Sequence, residues 1–111
     1  MLESLFGNPV IEKIVFYLFT NEKCYPSQLK EVFQVPLYSF QRALGRLEKG
    51  GIIVSHREGK TLLYQFNPRY PFLQELRAFL AKAYSFFPEE IRLKYYEPIV
   101  RKRPRRQGKP L

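Results

Sequence analysis

The sequence has no aspartate, one cysteine, one histidine and no long uninterrupted apolar run. Each scarcity removes a class of function. The lone Cys24 excludes an internal disulfide and agrees with a reducing compartment. No stretch approaches the roughly 18 apolar residues that a membrane-spanning helix needs, so no membrane partner is expected. Met1-Leu2-Glu3 lacks the basic start and apolar core of a secretory signal, which gives the expectation of a cytoplasmic protein. Cys24 and His56 have no second ligand at metal-site spacing, so neither metal nor cofactor is expected. No serine, cysteine or lysine nucleophile has an identifiable partner, and there is no glycine-rich phosphate loop. The chain reads as a non-enzyme.

What is present in quantity is positive charge and aromatic rings. Across 111 residues, 19 Lys and Arg face 10 acids, all of them Glu, for a formal charge of +9. Six of those cations (Arg101, Lys102, Arg103, Arg105, Arg106 and Lys109) crowd the last eleven residues, so residues 1–100 are only mildly basic. Such a balance favours an anionic polymer as partner. Ten Phe and eight Tyr are enough for one compact core.

Periodicity then orders the elements. Asn8 suits an N-cap and Pro9 the first helical position. Val10, Ile11, Ile14, Val15 and Leu18 give one buried face of a helix to about Phe19. Asn21-Glu22-Lys23 reads as a polar connector. A short helix is predicted over Pro26 to Phe33, with Leu29, Val32 and Phe33 inward, and Cys24 near its start as a small, partly buried residue. Gln34-Val35-Pro36 interrupts it, because the residue before proline is pushed out of the helical region. Pro36 opens another helix to about Lys49, ridged by Phe40, Leu44 and Leu47 and ended by Gly50-Gly51.

Two helices around a tight turn form a helix-turn-helix, and a hairpin directly after the second is a wing. The strands are predicted at Ile52-Ile53-Val54 and at Thr61 to Phe66, with Leu62, Tyr64 and Phe66 on one face. The polar tip is placed at His56-Arg57-Glu58-Gly59-Lys60. Beyond Asn67-Pro68, Pro71 opens a long helix to about Phe87. Pro88-Glu89-Glu90 starts a shorter one to Glu97, where Pro98 stops it. The expected fold class is α+β, mostly α: a winged helix-turn-helix with a two-stranded wing, a long C-terminal helix and a basic tail. The expected organisation is a domain over 1–87, a short helix over 88–97 and a flexible basic tail over 98–111.

The run VPLYSFQRALGRLEKGGII (Val35 to Ile53) resembles the recognition-helix signature of ArsR-like winged helix regulators. The matching residues are Arg42, Leu44, Arg46, Leu47, Glu48, Gly51, Ile52 and Ile53. REGKTLLYQFNP (Arg57 to Pro68) is similar to that family's wing. NPRYPFLQELRAFLAKAY (Asn67 to Tyr84) and LFGNP near the start resemble a narrower group, the winged helix domains associated with small nucleotidyltransferases. The likeness covers roughly residues 5 to 87. The chain departs from the metal-sensing members in lacking their paired cysteines. It also lacks a nucleotidyltransferase module, whose paired Asp cannot occur here. A separately encoded nucleotidyltransferase is a partner on resemblance alone.

The resemblance puts the helix ending at Lys49 in the DNA major groove. Tyr38, Ser39 and Gln41 are then candidates for reading base edges. Arg42 would pair with guanine or grip a phosphate, and Arg46 and Lys49 would touch phosphate. Gly45 lies on the same stripe, where glycine costs about 1 kcal/mol relative to alanine. Either DNA approaches closely there or a neighbouring element crowds the position. Arg57 and Lys60 offer wing contacts, His56 reads as a surface polar residue or phosphate contact, and the tail adds a basic arm.

The stripe Phe72, Leu76, Phe79, Leu80, Ala83 and Phe87 is too apolar to be covered by so small a domain. With Leu2, Leu5 and Phe6 it predicts a homodimer interface. The leading function is a sequence-specific, double-stranded DNA-binding transcriptional regulator, a repressor acting in the cytoplasm on the nucleoid. The alternatives are a winged helix protein-docking module and a non-specific nucleic-acid or RNA binder.

Overall fold

The computed structural model describes residues 2–97. The order is α1 (Glu3–Phe6), α2 (Pro9–Asn21), β1 (Lys23–Cys24), α3 (Pro26–Phe33), α4 (Leu37–Lys49), β2 (Ile53–Glu58), β3 (Thr61–Phe66), α5 (Leu73–Tyr84) and α6 (Glu89–Ile91). A π-helical stretch, Arg92–Tyr96, continues directly from α6. The basic tail proposed over 98–111 lies outside the described residues.

α2 begins as its sequence dictates. The Asn8 carboxamide accepts from the backbone N–H of Val10 at 2.7 Å and of Ile11 at 3.3 Å, and Pro9 occupies the first turn. The helix is buried on more than the one face that its periodicity predicts, because Phe16 and Tyr17 are inside along with Ile14, Val15 and Leu18. The second face is covered from the C-terminal side. Phe16 meets Phe87 at 4.7 Å between ring centroids, Tyr96 at 6.2 Å and Tyr84 at 6.4 Å. Pairs of this kind contribute about 0.5–1.5 kcal/mol each beyond area burial. The π-helical stretch therefore closes the core through Tyr96.

α3 and α4 are joined by Gln34-Val35-Pro36, with Gln34 in the left-handed region at φ 57°. α4 starts at Leu37, one residue later than predicted, and buries Phe40, Ala43, Leu44 and Leu47. It ends in a complete Schellman motif. Gly51 at φ 79° lets its N–H reach the Glu48 carbonyl while the Ile52 N–H reaches Leu47, both at 3.0 Å. The turn is then locked to the far end of β3, because Asn67 Nδ2 donates to the Gly51 carbonyl at 2.9 Å.

The sheet has three strands in the order β1-β3-β2, where two were predicted. β1 pairs Lys23 with Gln65 and Cys24 with Tyr64, so part of the supposed polar connector is strand. Two residues are too few to show a period, which is why β1 left no sequence signal. β2 runs four residues further than predicted. His56 pairs with Leu63 and Arg57 with Leu62, so the tip shrinks to Gly59-Lys60, with Gly59 at φ 63°. Ile53, Tyr64, Phe66 and Cys24 face the core. Leu63 points to the other face and is still buried.

α5 starts at Leu73, two residues after the predicted Pro71, and ends at Tyr84 rather than near Phe87. Of its stripe, only Leu80 is fully enclosed.

Candidate nucleic-acid interface

α4 presents one bare face. Tyr38, Gln41, Arg42, Gly45, Arg46 and Lys49 are all exposed, and Ser39 is half-buried at the edge. The packing of Phe40, Ala43, Leu44 and Leu47 beneath them fixes the rotation of the helix, so this stripe points outward by necessity. Arg42 is held in place: its Nη1 donates to the Tyr38 hydroxyl at 3.0 Å. Its guanidinium carbon also lies over the Tyr38 ring, 5.7 Å from the ring centre. The guanidinium keeps further donors for a ligand.

At Gly45 the structure removes one of the two readings left open by the sequence, crowding by a neighbouring element. A β-carbon added there would meet no atom within 4 Å. None of the described residues crowds it.

A cleft of about 290 Å³ opens where the start of α2 meets α4, lined by Asn8, Val10, Ser39, Arg42 and Arg46 among others. Two guanidinium-bearing residues thus share one concavity beside the exposed stripe.

The hairpin is braced against α4 and against the start of α3. The Ser55 hydroxyl donates to Glu48 Oε2 at 2.7 Å, which joins β2 to the last turn of α4. The Tyr25 hydroxyl donates to Glu58 Oε1 at 3.0 Å, and this hydrogen bond raises the Tyr25 pKa above its ordinary value. Because β3 lies between β1 and β2, that link passes over the sheet and holds the outer end of β2. Arg57 shares a face of β2 with Ile53 and Ser55, the face turned towards α4. Arg57 and Lys60 are exposed, as is His56. Sequence reasoning missed Tyr25, Glu48 and Glu58 as braces, since links between residues 7 and 33 positions apart leave no local pattern.

The residues expected at a homodimer surface divide. Phe72 is 62% and Leu5 64% exposed, and Phe79 is 41% exposed. Leu2, Phe6, Leu76 and Ala83 are half-buried. Leu80 and Phe87 are inside the protomer's own core and are not available at its surface. Phe86 and Leu93, which were not singled out, are exposed at 68% and 57%. Cys24 is fully enclosed rather than partly buried, and burial pushes its thiol up to about 12. Among the described residues no three His, Cys, Asp or Glu side chains could hold a metal ion, and no helix is long and apolar enough to cross a membrane.

No family model matches the sequence, and no curated protein matches it significantly. Among solved structures the chain is similar to ZitR of Lactococcus lactis, determined as a double-substitution variant in its apo form. The TM-score is 0.54 over 83% of this chain and 78% of ZitR. The fold is a winged helix. With 14% identity the likeness extends to the fold and no further. In winged helix terms α3 and α4 are the helix-turn-helix, β2 and β3 the wing, and β1 the short third strand that secures it.

Proposed function

We propose that the chain is a sequence-specific, double-stranded DNA-binding transcriptional regulator of the ArsR-like kind, acting as a homodimeric repressor. The observation that carries this reading is the exposed stripe of α4. It combines three cations, hydrogen-bonding Tyr38 and Gln41, and a glycine with open space above it. A helix with that face fits a major groove, where its first residues meet base edges and its later ones the backbone. Arg42, steered by Tyr38 towards the start of α4, is assigned to a base edge. Arg46, Lys49 and the cleft beside Asn8 are assigned to phosphate. The braced wing carries Arg57 and Lys60 to the adjacent backbone. ZitR of Lactococcus lactis has a similar fold.

The homodimer part of the reading is supported by the exposed Leu5, Phe72 and Phe79. Closed two-fold pairing would set two α4 helices on successive turns of DNA, about 34 Å apart. A cytoplasmic, nucleoid-bound location goes with that function. A separately encoded nucleotidyltransferase partner rests on the sequence resemblance alone.

The test is a duplex-binding titration with the Arg42→Ala, Arg46→Ala double variant. Loss of DNA binding with an unchanged melting temperature supports the reading. Unchanged DNA binding rejects it in favour of a protein-docking module.

A further inference from the structure

Every polar side chain lining the cleft between the start of α2 and α4 has a hydrogen-bond donor to spare. The Asn8 carboxamide oxygen accepts the N–H groups of Val10 and Ile11, so the amide nitrogen is the end left over. The Tyr38 hydroxyl accepts from Arg42 and keeps its own proton to give. Among the described residues the Ser39 hydroxyl has no hydrogen-bond partner, and neither Arg42 nor Arg46 has a carboxylate partner. No acidic residue is among the described residues that line the cleft.

Arg42 and Arg46 stand one helical turn apart on α4 and open into the same concavity. Like charges at that spacing destabilise a helix, and an anion between them removes the penalty. Guanidinium groups present forked donors that match the oxygens of a phosphate. The end of α2 is not what would attract the anion, because Asn8 already holds its first N–H groups.

We propose that this cleft binds a small phosphate monoester. Its phosphate accepts from Arg42, Arg46 and Ser39, and its organic part lies against Val10 and Ala43. The cleft's 290 Å³ is close to the lower bound of small-molecule sites, roughly 300 Å³, and is more than a lone phosphate fills. A monoester carries nearly two negative charges at neutral pH, whereas a backbone phosphodiester carries one. Two unpaired guanidinium groups match the monoester.

The inference extends the reading of the α4 stripe to its regulation. An ester seated in the cleft engages Arg42 and Arg46, both assigned to DNA, and so releases the duplex. That consequence rests on the DNA-binding reading; occupancy of the cleft does not.

Calorimetric titration of the full chain with phenyl phosphate, and separately with methyl phenyl phosphate, tests the proposal at neutral pH and constant ionic strength. The probes share a ring, but the second has the single charge of a backbone phosphodiester. Saturable one-to-one binding of phenyl phosphate is expected, at least about tenfold tighter than the diester. Arg46→Gln should weaken it about tenfold, and Arg46→Lys by less. Arg46 is exposed, so neither variant disturbs the core. Lys82→Gln removes an exposed charge outside the cleft and should leave binding unchanged. No saturable binding, full affinity in Arg46→Gln, or an equal loss in Lys82→Gln overturns the proposal. Equal binding of the two probes also overturns it and leaves the cleft to the DNA backbone. Phenyl phosphate should also displace a bound duplex, and a duplex that stays bound at saturating ester overturns the regulatory step. If the ester binds as expected but no duplex is ever bound, the DNA reading fails and the cleft assignment stands.

Discussion

Arg42 Nη1 donates to the Tyr38 hydroxyl at 3.0 Å, one helical turn nearer the start of α4. Both side chains are exposed, so the bond adds little to stability; its effect is to aim the guanidinium before any ligand arrives. The two arginines of α4 should then behave differently. Arg42→Ala should cost about 1–3 kcal/mol at one base pair and relax specificity there, and Tyr38→Phe should reproduce part of that loss. Arg46→Ala should weaken all sequences alike and reduce the slope of log affinity against log salt by about 0.9. Titrations of two duplexes at several salt concentrations separate these outcomes, and a uniform loss for Arg42→Ala would contradict its assignment to a base.

Gly45 gives a prediction in which stability and function move in opposite directions. Alanine has room at this position and is a better helix former. Gly45→Ala should stabilise the fold by about 1 kcal/mol, raising the melting temperature by roughly 4–8 °C. DNA affinity should fall, because the added methyl occupies the space assigned to the groove wall. A stabilised variant with unchanged affinity would remove close approach as the reason for the glycine.

The α5 stripe can be split by two substitutions. Phe79 is partly exposed and assigned to the homodimer, whereas Leu80 is enclosed within the protomer. Phe79→Glu should give monomers by sedimentation and leave the fold intact. Leu80→Ala should destabilise by about 2–5 kcal/mol, as a core truncation does. Monomers from the wild-type chain would contradict the pairing.

Helices α2, α3 and α4 were legible in the sequence, because each carries its own signals. Asn8 and Pro9 marked the start of α2, Pro26 that of α3, and Gly50-Gly51 the end of α4. The ridge of Phe40, Leu44 and Leu47 left the outward stripe as the remainder. What escaped notice depends on distant partners. The two residues of β1 become a strand only because β3 offers an edge. β2 extends past Val54 through His56 and Arg57, polar residues that pair with Leu63 and Leu62. On α5 the apolar repeat marks a helix, shorter than expected at both ends, but periodicity does not say what covers it. Leu80 is enclosed, and Phe87 turns inward because Phe16 and Tyr96 complete a ring cluster that no local spacing reveals. Gly45 is the opposite case: the sequence posed a choice, and open space at its Cβ position removes crowding from it.

Cys24 predicts a pH dependence. Its thiol ionises at about 12 in the folded chain, against 9.0 for the unperturbed group, because the buried sulfur loses hydration of its charged form. Above pH 9 the unfolded chain gives up a proton that the folded chain keeps, so stability falls as pH rises from 9 towards 12. Below 9 the contribution is complete. Cys24→Ala should make the decline between pH 9 and 10 shallower without removing it, because Tyr17, Tyr64 and Tyr96, also raised by burial, add a decline of the same sign. In the native protein the thiol should resist a disulfide reagent at pH 8 and react on unfolding. Rapid native labelling would contradict its enclosure.

The central claim is that the stripe of α4 reads sequence in duplex DNA. Selection of bound duplexes from a random library at about physiological salt tests it most directly, followed by titration of the winner against a scrambled duplex. The account predicts a two-fold symmetric sequence bound at least about a thousandfold more tightly than the scrambled one. Equal binding to both duplexes, disappearing as salt is added, would mean that the cations supply only non-specific attraction, and would contradict it.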